Sequence, residues 1–263
     1  MARRAAVAGA AAIFVAGAAA LLLFMRDGAA HEPPPAMRVA PASPSAGRMA
    51  LPPARAGAAR ADGAVTAGPL RARLVRSVLL PDRPGGRILR SLTPRTEFGS
   101  RRVLAVVAQR PGWLGVLTHH VRNSRAAWIP AAAAQLLLAP DTLHVDLSAR
   151  TLVVRRHGRV ARRVGVAVGR PATSTPTGRF AVTDALVDGR PASPYGCCVL
   201  ALTGRQPNLP PGWTGGDRLA IHGTTNERTL GTPASSGCLR AGDADMRWLI
   251  TNVPPGTLVI IRA

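Results

Sequence analysis

Cys238 stands in the run Ser235-Ser236-Gly237-Cys238-Leu239-Arg240, sixteen residues after His222 in Ile221-His222-Gly223-Thr224. A thiol attacks a carbonyl carbon as its thiolate, so a catalytic cysteine needs a nearby base or a positive field to lower its pKa from about 8.5. His222 is the candidate base, and Arg240 carries a fixed positive charge two positions beyond the sulfur. Gly237, with no Cβ, lets the backbone turn tightly and, with Ser236 and Cys238, aim N–H groups at an oxyanion on the attacked carbon. The other five histidines show no ligand spacing such as H-x-x-x-H, so neither a metal nor another cofactor is called for.

Strands must hold these side chains. After Pro140, Leu143, Val145 and Leu147 alternate with His144, Asp146 and Ser148, and further strand candidates follow at 152–154, 160–168, 180–183, 198–202, 219–222 and 258–261. Alternation over Leu219–His222 puts Leu219 and Ile221 on one face and Ala220 and His222 on the other, so His222 need not enter the core. One helix is expected: Asp243 is placed to cap it, Met246, Leu249, Ile250 and Val253 recur at helical spacing, and Pro254-Pro255 stops it. Residues 141–263 thus read as a mostly β domain with one short helix near its end.

Residues 70–140 carry short apolar runs between Gly and Pro clusters, the pattern of a small antiparallel barrel. Within them Pro111-Gly112-Trp113-Leu114-Gly115-Val116 and Ala126-Ala127-Trp128-Ile129-Pro130 resemble bacterial SH3-like modules of exported wall proteins. Trp113 and Trp128 read as core packing in preference to a ligand groove. Residues 27–69 hold 14 Ala, 8 Pro and 5 Gly without a sustained period, which reads as a flexible linker. Ala5–Met25 is an uncharged run of 21 residues behind Arg3 and Arg4, long enough to span a bilayer with its start inside the cytoplasm. Residues 1–26 are therefore read as a transmembrane anchor, with signal cleavage near Gly28-Ala29-Ala30 and secretion as the alternative. Either way the body is exported to the cell envelope.

The formal charge of +21 comes from 34 basic and 13 acidic residues, and every basic residue is arginine. Without lysine there is no Walker A loop, Schiff-base lysine or S-x-x-K acylase. The arginines are spread along the whole chain and aromatics are only 3%, which argues against nucleic acid and leaves anionic cell-wall polymers as the partner such charge suits. Three cysteines leave at least one unpaired; the adjacent Cys197 and Cys198 read as buried free thiols, a vicinal disulfide being the strained alternative.

Ile221–Asn226, Leu230-Gly231 and Ser235–Arg240 together resemble the signature of the L,D-transpeptidase catalytic domain family, in which a histidine-glycine pair precedes a serine-x-glycine-cysteine-x-arginine run. Gly169–Phe180, with its Thr175-Pro176-Thr177-Gly178 turn, Ser193–Leu202, the Asp243 helix and Pro255–Ile261 agree in the same order, so the resemblance runs over 141–263. Ser236 departs from the histidine that many members carry before the glycine. The resemblance implies a β-sandwich acting on peptidoglycan stem peptides with Cys238 as nucleophile and His222 as base. Ser236, Gly237, Ser235 and Gly223 would serve the oxyanion or support the loop, and Arg240, Thr224 and Tyr195 would bind substrate or hold structure. The implied product is a 3-3 cross-link; hydrolysis by an L,D-carboxypeptidase and wall binding without catalysis are the alternatives.

Overall fold

Burial alternates residue by residue in the strand Asp141–Asp146, as a sheet with one face on a core requires. The computed structural model describes residues 70–188, 190 and 193–263. The anchor expected over 1–26 and the linker over 27–69 lie outside them; among the described residues no helix is long and apolar enough to cross a membrane.

Seven strands come first: β1 (Leu70–Leu74), β2 (Val78–Pro81), β3 (Ile88–Leu92), β4 (Val103–Arg110), β5 (Trp113–Leu117), β6 (Ala126–Pro130) and β7 (Ala134–Leu138). Five form a sheet in the order β6-β5-β4-β1-β7, antiparallel throughout, and β2 pairs with β3 as a separate hairpin. Leu80, Leu92, Val116 and Ile129 are among the residues that fill its apolar core. Trp128 is buried, with Gly115 close to its ring and the Arg110 guanidinium 5.1 Å from the ring centroid. Trp113 is only half-buried, on the wall of a 510 Å³ cavity beside Pro130, Leu79 and Ile88. The SH3-like likeness rests on the sequence segments alone.

Ten further strands follow: β8 (Asp141–Asp146), β9 (Thr151–Arg156), β10 (Arg159–Gly165), β11 (Val168–Gly169), β12 (Gly178–Val187), β13 (Cys198–Arg205), β14 (Arg218–His222), β15 (Pro233–Ser235), β16 (Leu239–Arg240) and β17 (Leu258–Arg262). Eight make one sheet, β10-β9-β8-β17-β12-β13-β14-β16, and β11 pairs with β15 apart from it. The β9–β10 turn sits where expected, with His157 and Gly158 both at positive φ. Among the described residues one α-helix, α1 (Asp243–Asn252), buries Met246 and Leu249 in the larger core and ends before Pro254. Asp243 is not its cap: Gly242 takes that position, and Asp243 Oδ1 instead accepts a hydrogen bond from the Cys197 amide at 3.2 Å. The carboxylate is drawn to an N–H of the neighbouring segment, so it is not available to its own helix.

The smaller sheet is joined to the larger one by specific polar contacts. Thr96 Oγ1 donates to the fully buried Asp184 at 2.5 Å, Asn123 and the Arg205 backbone exchange two hydrogen bonds, and Glu97 pairs with Arg218 at 2.6 Å. Ala105 and Leu117 of the first sheet pack with Ala181 of the second in a small apolar cluster.

Candidate active site

β14 and β16 lie parallel, with Ile221 opposite Leu239 and His222 opposite Arg240. Leu219 and Ile221 are buried in the core, as the alternation requires, and His222 takes the other face. Continuing that register back by one residue sets Cys238 against Ala220, so Cys238, Arg240, Ala220 and His222 share one side. All four line a cavity of 390 Å³.

His222 is 4% exposed. Its Nδ1 lies 2.7 Å from the Gly223 carbonyl, so Nδ1 carries the proton and Nε2 is left with its lone pair. The Tyr195 ring meets the imidazole edge-on, centroids 5.0 Å apart. Burial depresses His222 to about 4; the Gly223 hydrogen bond opposes this and the Arg240 charge adds to it. Burial also pushes the Cys238 thiol up, against smaller opposing effects of an Ala220 backbone hydrogen bond and Arg240. Thiol and imidazole therefore rest neutral. The thiol points to the Arg218 carbonyl at 3.8 Å, and no hydrogen bond joins it to His222.

The loop before the sulfur is held from three directions. Ser235 is 1% exposed; its hydroxyl donates to the Cys238 carbonyl at 2.5 Å and accepts from the Gly237 amide at 3.0 Å. That amide, expected to face an oxyanion, is thus already engaged. Thr175 Oγ1 donates to the Gly237 carbonyl at 2.8 Å. Gln206, 4% exposed, gives its amide nitrogen to the carbonyls of Thr173, Ser174 and Ser236 at 3.0–3.2 Å. Gly237 has φ +120°, and a Cβ there would run into Gln206. Arg170 reaches the Ser236 hydroxyl at 3.2 Å.

The other expected positions divide. Tyr195, Ser236 and Arg240 line the cavity, and Arg240 Nε is buried without a partner. Gly223 sits beside the imidazole it orients, where a Cβ would strike Asp243, and does not touch the cysteine loop. Thr224 accepts the Asn226 amide at 3.1 Å in a local turn and is not a cavity residue. Cys197 and Cys198 are bonded as a vicinal disulfide in place of the two free thiols expected, where the chain turns at Gly196 with φ +62° and enters β13. Cys238 is the one free cysteine. Sequence reasoning missed Gln206, Thr175, Arg218 and Trp213. Of these only Thr175 lay in a motif named from the sequence, and the Pro210-Pro211-Gly212 turn signal beside Trp213 could have drawn attention to that side chain. Among the described residues no group of His, Cys, Asp and Glu is arranged to hold a metal.

A family model described as the L,D-transpeptidase catalytic domain matches residues 140–261. The candidate L,D-transpeptidase YkuD of Bacillus licheniformis is 32% identical over 126 residues, which cover 46% of this chain and 68% of that protein. This chain belongs to the L,D-transpeptidase catalytic domain family. YkuD of Bacillus subtilis strain 168, likewise named as a candidate enzyme, is 32% identical over 123 residues covering 47% of this chain. The chain spans 66% of that relative's length, just under two thirds. Among solved structures, an L,D-transpeptidase from Mycobacterium smegmatis aligns with 52% of this chain and 73% of its own, at 22% identity and a TM-score of 0.37.

Proposed function

We propose that the protein is a cysteine-dependent L,D-transpeptidase of the cell wall, acting outside the cytoplasm on peptidoglycan stem peptides. Cys238 Sγ attacks the carbonyl between the third stem residue, a diamino acid, and the terminal D-alanine. His222 Nε2 takes the thiol proton as the carbon–sulfur bond forms, because a neutral pair has no thiolate waiting beforehand. The Ser236 and Cys238 amides face the developing oxyanion, because the Gly237 amide is already donated to the Ser235 hydroxyl. His222 then returns its proton to the departing D-alanine nitrogen, leaving a thioester on Cys238. A side-chain amine of a second stem attacks the thioester, gives its proton to His222 Nε2 and makes the 3-3 cross-link, and the expelled Cys238 sulfur takes that proton back from His222. Water in place of the amine gives the L,D-carboxypeptidase reaction.

The observation that carries this reading is the parallel β14–β16 register, which brings an imidazole with a bare Nε2 and the one free thiol to the same cavity wall. Family membership supports it. Arg240 lines the cavity, and its guanidinium is the position for a substrate carboxylate. Retention of the whole arrangement weighs against a wall-binding protein without catalysis.

Intact-protein mass spectrometry after incubation with a carbapenem tests the nucleophile: a single adduct mapping to Cys238 is expected. No adduct beside a reacting control enzyme would remove the acyl-transfer reading. Digestion of tetrapeptide stems with and without an amine acceptor then separates transfer from hydrolysis.

A further inference from the structure

A second cavity, of 420 Å³, lies wholly within the smaller sheet's half of the protein, where β3 ends and the β5–β6 loop begins. Arg90, Arg95, Arg102, His119, His120 and Glu97 line it. Its size falls in the range of small-molecule sites. Arg102 is the informative member. It is only 8% exposed, and its Nε and Nη2 donate to the backbone carbonyls of Thr93 and Arg95 at 2.8 and 2.7 Å. No carboxylate among the described residues forms an ion pair with it, so a nearly buried guanidinium is fixed by neutral acceptors. Burying a charge without a direct partner is unfavourable, and such a group keeps its attraction for an anion.

The nearby acids do not fill that place. Glu97 is held at 2.6 Å by Arg218, and Asp184 by Thr96 at 2.5 Å, so both act on Arg102 only at longer range. Arg205 and Arg218 add positive charge from the larger sheet. The His119 and His120 rings meet at a tilt of 50° with centroids 3.9 Å apart, His119 Nε2 lies 3.9 Å from Glu97 Oε1, and burial keeps both imidazoles neutral, each with one N–H to donate.

We infer that this cavity is a binding site for a phosphoryl oxyanion, either free phosphate or the phosphodiester of an anionic wall polymer, with Arg102 as its fixed donor, Arg90 and Arg95 closing on the exposed side, and the histidine pair completing the shell. Forked guanidinium donors match the oxygens of a phosphate. The site stands apart from Cys238 and does not depend on acyl transfer.

The full chain, labelled with ¹⁵N at histidine, is titrated at constant ionic strength with inorganic phosphate, with glycerophosphoglycerol and with acetate, following the His119 and His120 side-chain resonances. Saturable shifts with a phosphate ligand are expected, with both imidazole pKa values rising by about one unit, because the bound anion favours their protonated form. Arg90→Gln and Arg95→Gln each weaken binding about tenfold, one lost charge-assisted contact. Arg155→Gln, on β9, leaves it unchanged. Arg102→Gln abolishes binding if it folds; if it does not, the two exposed variants carry the test. Binding of the diester as tight as phosphate identifies the polymer as source, and binding of phosphate alone identifies the free ion. Shifts that never saturate, acetate competing equally, or unweakened Arg90→Gln and Arg95→Gln variants would overturn the site.

Discussion

In the five-stranded sheet every neighbouring pair is antiparallel, whereas the eight-stranded sheet contains the parallel pairs β8–β17 and β14–β16. Antiparallel hairpins pair residues close in sequence; parallel strands must be joined by a long excursion. In the larger sheet the excursion from β14 to β16 carries Thr224, Arg228 and the Ser235 loop, and it returns Cys238 beside the strand that bears His222. The smaller sheet concentrates its polar groups in loops at one end, where they gather charge without juxtaposing a nucleophile and a base. The comparison teaches that the candidate site is built on a parallel pairing, while the all-antiparallel sheet builds a scaffold and its electrostatic surface.

The largest test of this contrast is in the reactive pair. Cys238→Ala should reduce transpeptidation and carbapenem acylation by about 10⁴-fold or more, and His222→Ala by about 10²–10⁴-fold, with melting temperatures close to the parent. Comparable losses from substitutions in the smaller sheet, with stability unchanged, would break the division of labour.

Backbone demands of the cysteine loop come next. Gly237→Ala places a side chain at positive φ against Gln206 and should destabilise the protein by about 1–3 kcal/mol, together with a loss of acylation rate, in paired denaturation and adduct-formation measurements. Between the sheets, Thr96→Val strands the buried Asp184 carboxylate, whose Oδ2 already lacks a partner, and should cost about 1–3 kcal/mol. The more exposed Glu97–Arg218 pair is weaker: Glu97→Gln should cost below about 1 kcal/mol and lose its effect in high salt.

Acidity sharpens the comparison, since both halves bury histidines. His222 and His120 are depressed to about 4 and His119 to about 3, while an unfolded chain takes up these protons near 6.5. Stability from keeping them neutral is present above 6.5 and is lost as pH falls toward 4, so thermal unfolding midpoints should drop across that window. A His119→Gln, His120→Gln double variant should flatten part of the slope. Acylation should follow His222 alone, with rates holding to about pH 5 and falling as pH passes through about 4.

Much of this was legible before any coordinates. Strand alternation around Leu143 and Leu219 gave the correct faces, and the helix at Met246–Ile250 ends at its prolines. The pair proposed to react, Cys238 and His222, stood out because such chemistry is carried by residue types in a short motif, and the fold brings both to one cavity wall. Gln206 did not, because a glutamine amide acquires its meaning only when three carbonyls from two other segments converge on it. β11, β15 and β16 are two or three residues long, too short to show a period. Asp243 was misread for a related reason: its type suits a helix cap, and only the fold brings the Cys197 amide within reach. Bonding between Cys197 and Cys198 likewise depends on the turn at Gly196, which adjacency alone does not specify.

Because that bond occupies two of the three sulfurs, the native protein offers thiol reagents a stoichiometry of one, and reduction under denaturing conditions raises it to three. A maleimide or fluorophore applied without reductant would therefore report on the cleft wall alone, giving a built-in spectroscopic handle that needs no engineered cysteine and no background correction.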